Sequence, residues 1–196
     1  MHARFAPEAR GRKLSGRTRL AGRIGSLLFA LAALAGSSAA GAIRHHLSAA
    51  TPEPKPAFTL PGLNGAQQAL QQQAGRIVLV HFFATWCEPC REELSSLSQL
   101  LRTHTHAPLT VMAVNVAEVP VRVQRFLETG PVDFPVLLDA DRAVTRAWGV
   151  SILPTTFVLD RALVPRLFVE GDIDWTRADV LEALRSVAGA EPNEQH

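Results

Sequence analysis

The stretch IVLVHFFATWCEPCREEL, residues 77–94, decides the fold. It opens on an apolar run, Ile77 to Phe83, passes through WCEPC at 86–90, and leads into Leu94, Leu97, Leu100 and Leu101 at helical spacing. A continuous apolar strand of this kind belongs in the middle of a sheet covered on both faces. The pattern predicts a strand, a CxxC loop and a helix to about Arg102, the layout of a dithiol redox site. Both cysteines of the chain, Cys87 and Cys90, lie here. Two intervening residues on a first helical turn let the sulfurs reach each other. Cys87 then falls at the helix N-terminus, where unpaired N–H groups and the dipole favour a thiolate. CxxC placements lower a thiol pKa from about 8.5 to roughly 3.5–7.5, and the thiolate is the species that attacks disulfides.

Two other uses of a CxxC compete. One is half of a zinc site, but structural zinc takes four ligands. No second CxxC exists, and the closely spaced His104 and His106 fall in a polar turn after the helix. The other is a structural staple, yet closing so small a loop removes little chain entropy. The strand and helix flanks favour redox chemistry.

Charge is unevenly placed along the 196 residues. Residues 1–23 carry seven basic residues and one acid, whereas residues 24–196 carry 13 basic and 17 acidic, a net of −4. The positive total therefore belongs to the N-terminal segment, and no nucleic-acid partner is expected. Residues 24–43 contain no charge, and about 20 apolar residues span a bilayer. The basic flank would stay in the cytoplasm and the remainder be exported. An uncleaved anchor is the preferred reading; the alternative is a signal peptide cut after Ala40-Gly41-Ala42. Either way the cysteines face an oxidising compartment. Residues 44–56, with Pro52, Pro54 and Pro56, read as an extended linker. The domain then runs over 57–190, and residues 191–196 form a disordered tail.

Within the domain, Phe58 to Leu60 predicts a short strand before turn residues Pro61-Gly62 and Asn64-Gly65. Leu109 to Val116 is a second buried strand. Pro120 opens a helix whose apolar face is Val119, Val123, Phe126 and Leu127. Phe134 to Leu138 is a third strand, and Asp141 to Trp148 a short helix closed by Gly149. Thr155–Leu159 and Val164–Val169 read as a hairpin, with Pro165 pointing to an edge position. The last helix starts between Asp174 and Thr176 and ends near Ala188, with Thr176 and Asp179 at capping-box spacing. Such an order gives an α/β sandwich around a mixed sheet.

VLVHFFATWCEPCREEL (78–94), VNVAE (114–118), FPVLLDADRAVTRAWGV (134–150) and ILPTTFVLD (152–160), with GDIDW (171–175) as a later echo, resemble the TlpA/ResA-like membrane-anchored thiol–disulfide oxidoreductases. The resemblance implies a thioredoxin-like fold, a mixed β-sheet flanked by helices, with a helix-strand segment inserted before a cis-proline at Pro154. That proline would face the CxxC and offer a backbone edge to an extended substrate. Glu93 and Glu118 match acids that line a hollow beside the active site in ResA-like members; the plain alternative is two surface acids. Thioredoxin holds a buried Asp where this chain has His81, six residues before Cys87. His81 shares a strand face with Leu79 and Phe83, so burial should keep it neutral. It is expected either to accept a proton when Cys90 attacks or to be a packed core histidine. The hairpin after Asp160 lacks the usual Gly.

The reading is a periplasm-facing protein disulfide reductase, with Cys87 as nucleophile and Cys90 as resolving thiol. Trp86, Glu88, Pro89 and Pro154 shape docking and the turn. The electron carrier is the Cys87–Cys90 pair itself, with no further cofactor and no metal. The resemblance implies apocytochrome c or a copper-site protein as substrate and a membrane thiol relay as electron donor. Alternatives are a Cu(I)-handling protein gripping the metal through both sulfurs and a redox-responsive binding module.

Overall fold

A computed structural model of the chain describes residues 45–104 and 107–189. Its elements are β1 (Ser48–Ala49), β2 (Thr59–Pro61), β3 (Gln67–Ala69), a 3-10 turn at Leu70–Gln73, β4 (Ile77–Phe83), α1 (Glu88–Thr103), β5 (Leu109–Val116), α2 (Pro120–Thr129), β6 (Val136–Asp139), α3 (Ala143–Ala147), β7 (Thr155–Leu159), β8 (Pro165–Glu170) and α4 (Ala178–Gly189). The expectations for residues 1–43, for the tail at 191–196 and for His106 lie outside the described residues.

β4 is buried along its whole length, as its uninterrupted apolar sequence requires. It sits inside a six-stranded sheet ordered β1-β8-β7-β4-β5-β6, parallel to β5 and antiparallel to β7. Alternate residues serve opposite faces. Leu79 and Phe83 join Leu94, Leu97 and Leu100 of α1 and Leu184 of α4 in one core. Val78, Val80 and Phe82 join Phe58, Trp148 and Phe157 in the other. Burying each such side chain contributes about 1.5–3 kcal/mol, so the strand that carries the CxxC loop is anchored from both sides. The helix-strand segment α2–β6 is present between β5 and α3.

Several expectations are corrected. Over its described part, residues 45–56, the expected linker of 44–56 is not free: β1 pairs with β8, Lys55 Nζ donates to the Trp148 carbonyl at 3.1 Å, and Trp148 Nε1 donates to the Pro56 carbonyl at 3.0 Å. The prolines do favour extension, but an extended segment beside a free strand is recruited as a further strand. For the same reason Pro165 does not lie on an open edge strand, because β1 covers the outer side of β8. Gln67–Ala69 adds a strand without an apolar pattern, β3, pairing with β2 across a turn in which Gly65 takes φ 77°. Val119 is exposed as the N-cap of α2 and not part of its buried face. The capping box at Thr176 is replaced by Asp174, whose Oδ1 accepts from the Thr176 N–H at 2.8 Å and hydroxyl at 2.6 Å; Asp179 pairs with Arg177 instead. In the glycine-free hairpin Leu163 takes the left-handed conformation at φ 62°. Asp160 Oδ1 holds the turn by accepting from the N–H groups of Ala162 and Val164, both at 2.9 Å.

Candidate active site

The C-terminal ends of parallel β4 and β5 meet the start of antiparallel β7 at one end of the sheet. Carboxyl ends of strands are where α/β sheets place their sites. Cys87 and Cys90 lie there, joined as a disulfide. Cys87 is the N-cap of α1, with Pro89 in the first turn where its missing N–H is no loss. Its sulfur-bearing side chain belongs to a residue 6% exposed, against 0% for Cys90. Cys87 is thus the less buried of the two. Glu88 and Pro89 are exposed between them, and Glu88 pairs with Arg91 at 3.2 Å.

The peptide bond before Pro154 is cis. Thr155 stands opposite Phe82 in the β4–β7 ladder, so Pro154 arrives where β4 hands over to the CxxC loop. A cleft of about 390 Å³ lies beside it, lined by Trp86, Val116, Ala117, Arg142, Val150 and Leu153 among others. Trp86 projects into solvent at its rim.

Glu118 is not a surface acid. It is buried, and its oxygens accept from the Thr85 N–H at 2.7 Å, the Thr85 hydroxyl at 2.6 Å and Asn115 Nδ2 at 2.7 Å. Ala117, at φ 60°, turns the chain so that the carboxylate reaches back. Glu118 thus fixes Thr85, two residues before Cys87, and touches the loop rather than the sulfurs.

Glu93 is also buried, on α1 one turn past Cys90. Its Oε1 accepts from Trp175 Nε1 at 2.6 Å, while Oε2 has no partner. Burial raises its pKa from 4.5 to about 8, the Trp175 hydrogen bond opposes that rise, and Asp172 adds to it. A small cleft of about 240 Å³ between α1 and residues 172–174 opens toward it. His81 is fully buried, with Nδ1 2.9 Å from Thr156 Oγ1 and Nε2 unpartnered. Burial lowers its pKa from 6.5 to about 3. His81 Nδ1 lies 3.9 Å from Glu93 Oε1, a distance that permits an ion pair. Both facing atoms already have closer partners, and burial drives imidazole and carboxyl alike to their neutral forms. The imidazole is neutral, as its strand position predicts, but it is too weak a base to take a proton near neutrality. Glu93 is the neighbour that titrates in that range.

Four residues of this end escaped the sequence reading. Thr85 and Asn115 hold Glu118, Thr156 sits directly across the ladder from His81, and Trp175 donates to Glu93. The cross-strand pairing of β4 with β7 is the signal that would have found Thr156. No group of three or more metal-ligating side chains occurs among the described residues.

The AhpC/TSA family profile matches residues 52–164, more than half of the chain. ResA, a thiol–disulfide oxidoreductase of Geobacillus thermodenitrificans, is 31% identical over 169 residues, covering 86% of this chain and 96% of the relative. The chain belongs to the ResA-like thiol–disulfide oxidoreductases of the AhpC/TSA family. ResA of Bacillus subtilis is 38% identical over 105 residues, 54% of this chain and 59% of that protein. A solved thiol:disulfide interchange protein, DsbE from Chlorobium tepidum, superposes with a TM-score of 0.62 at 30% identity, over 71% of this chain and 96% of its own. The fold is therefore thioredoxin-like, and the chain is a thiol–disulfide oxidoreductase whose substrates are proteins bearing disulfides.

Proposed function

We infer that the chain reduces disulfides on the outer side of a bacterial inner membrane, with cysteine pairs of apocytochrome c as the principal substrate and copper-site cysteines as the second. The observation that carries the catalytic reading is the Cys87–Cys90 disulfide at the N-terminus of α1, beside cis-Pro154. In the reduced protein the Cys87 thiolate attacks one sulfur of the substrate disulfide. That bond breaks, a mixed disulfide forms, and the departing substrate sulfur takes a proton. Cys90 then loses its proton and attacks the Cys87 sulfur, which releases the fully reduced substrate and leaves Cys87–Cys90 oxidised. The pair itself stores the two electrons, so no separate cofactor enters.

Glu93, one turn past Cys90 on α1, would take the Cys90 proton. A carboxyl with a pKa of about 8 is a far stronger base than a solvated one, and it is matched to a thiol. Trp86 and the segment before Pro154 border the cleft in which an extended cysteine-bearing segment would lie. Residues 24–43 would anchor the protein, and a membrane dithiol would return electrons to the oxidised pair.

The reading is tested with reduced full-length protein and a disulfide-closed CxxCH peptide, the haem-attachment pattern. The peptide should be reduced at least tenfold faster than the disulfides of insulin. Equal rates would contradict the cytochrome assignment while leaving disulfide reduction intact.

A further inference from the structure

The cleft of about 390 Å³ beside Trp86 and Leu153 has a mostly apolar wall. Among the described residues that line it, Thr145 and Ser151 bring hydroxyls and Arg142 brings the one charge. Binding sites commonly have this make-up, an apolar surface for contact and a few polar groups that fix orientation and specificity.

The same wall holds two of the three non-glycine residues in the left-handed conformation among the described residues, Ala117 at φ 60° and Arg142 at φ 61°. The Cβ atom makes that conformation unfavourable, and residues that keep it gather at functional sites. One carbonyl ties both turns: Asp139 O accepts the N–H of Ala117 and the N–H of Arg142, each at 3.1 Å. Asp139 is fully buried at the end of β6. Its carboxylate accepts from the N–H groups of Val144 at 3.2 Å and Thr145 at 2.7 Å. The turn that carries Arg142 is thereby fixed to the sheet.

The nearby acids are engaged elsewhere. Asp141 Oδ1 accepts from the Ala143 N–H at 3.0 Å. Glu118 holds Thr85 and Asn115, and Glu88 pairs with Arg91. Arg146, four residues on, donates to the Asp141 carbonyl at 2.8 Å. The exposed Arg142 guanidinium has no hydrogen bond or ion pair among the described residues. A lone cation is ordinary on an open surface; here it is held by a strained turn in the wall of the cleft beside the disulfide.

We propose that Arg142 is a specificity-determining residue, selecting substrate segments that carry a carboxylate side chain close to the reacting cysteine. The inference rests on the reading that a cysteine-bearing segment lies in this cleft for reduction. Apolar side chains of that segment cover the wall, and its Asp or Glu meets the guanidinium. A basic residue at the same place is repelled, so the charge discriminates between partners more than it adds affinity. The pairing forms on docking, before any bond changes, and so acts on KM rather than on kcat.

The test uses reduced full-length protein and disulfide-closed CxxCH peptides. Each carries Glu, Gln or Lys at one of the two residues before the first cysteine or the two between the cysteines. At one position or more, Glu should lower KM about fivefold or more relative to Lys, with Gln between them. Salt at about 0.5 M should cut that ratio by more than half. Glycine accepts the left-handed turn without strain, so Arg142→Gly should melt no lower than wild type while its Glu-to-Lys ratio falls below about two. Arg142→Glu should reverse the preference, and Arg146→Gln should keep it. Equal KM values across a set that is reduced, or a preference that survives in Arg142→Gly, overturns the role of Arg142. A preference lost equally in Arg146→Gln reports a general field and overturns it too. Lower melting of Arg142→Gly with an equal loss of rate on every peptide assigns the residue a structural role and likewise overturns it. Reduction of none of the peptides by wild type overturns instead the reductase reading beneath it.

Discussion

His81 and Glu93 show how burial decides what a titratable side chain can do. The Glu93 pKa is raised from 4.5 to about 8. Between those values the unfolded chain has lost the proton and the folded chain still holds it. Its contribution to stability is whole below pH 4.5 and is lost as pH rises toward 8. The His81 pKa is lowered from 6.5 to about 3; its contribution is whole above 6.5 and is lost as pH falls toward 3. Each slope approaches ~1.4 kcal/mol per pH unit. Urea melts should therefore show Glu93→Gln flattening the decline as pH rises from 4.5 to about 8, and His81→Asn flattening the decline as pH falls from 6.5 to about 3. Stopped-flow kinetics should also separate them: release of the mixed disulfide loses its pH dependence near 8 in Glu93→Gln and keeps it in His81→Asn. Loss of that dependence in His81→Asn alone would return the proton-accepting role to the histidine. Glu118→Ala strands the Thr85 N–H and Asn115, so stability should fall by about 2–4 kcal/mol, and hydrogen exchange at the Thr85 amide should rise at least tenfold.

At the scale of elements, legibility followed the range of the interactions. β4, α1 and β5 were readable because their apolar periodicity is intrinsic to a few consecutive residues, and β5 matches its predicted span of Leu109–Val116. Pro154 was readable through a segment pattern. β1 and β3 were not, since Ser48-Ala49 and Gln67–Ala69 are polar or small, and only pairing with a partner strand makes them β. Glu93 and Glu118 could be chosen from the sequence, but their burial could not, because it depends on Trp175, Thr85 and Asn115 arriving from elsewhere in the chain. The hairpin after β7 is a related case. Its turn works without glycine because Asp160 also binds Arg166, with Nε 2.7 Å from Oδ2. Asp160→Ala should lower stability by about 2 kcal/mol in urea melts, and an effect under ~0.5 kcal/mol would mean that Leu163 alone sustains the turn.

For the whole molecule, one end of the sheet collects the two sulfurs, the cis-proline and the buried Glu93. No helix among the described residues is long and apolar enough to cross a membrane; the proposed anchor is the uncharged stretch at residues 24–43. After a carbonate wash, full-length protein should stay with the membrane fraction; soluble protein beginning after Ala42 would show cleavage instead. The central claim is that this end performs two-step exchange through Cys87. It is tested most directly by mixing full-length Cys90→Ser and Cys87→Ser variants with a disulfide-closed CxxCH peptide and weighing the products. Cys90→Ser should accumulate a one-to-one mixed disulfide at Cys87, and Cys87→Ser should form none. A mixed disulfide formed through Cys90 at a comparable rate, or none in either variant, would contradict the account.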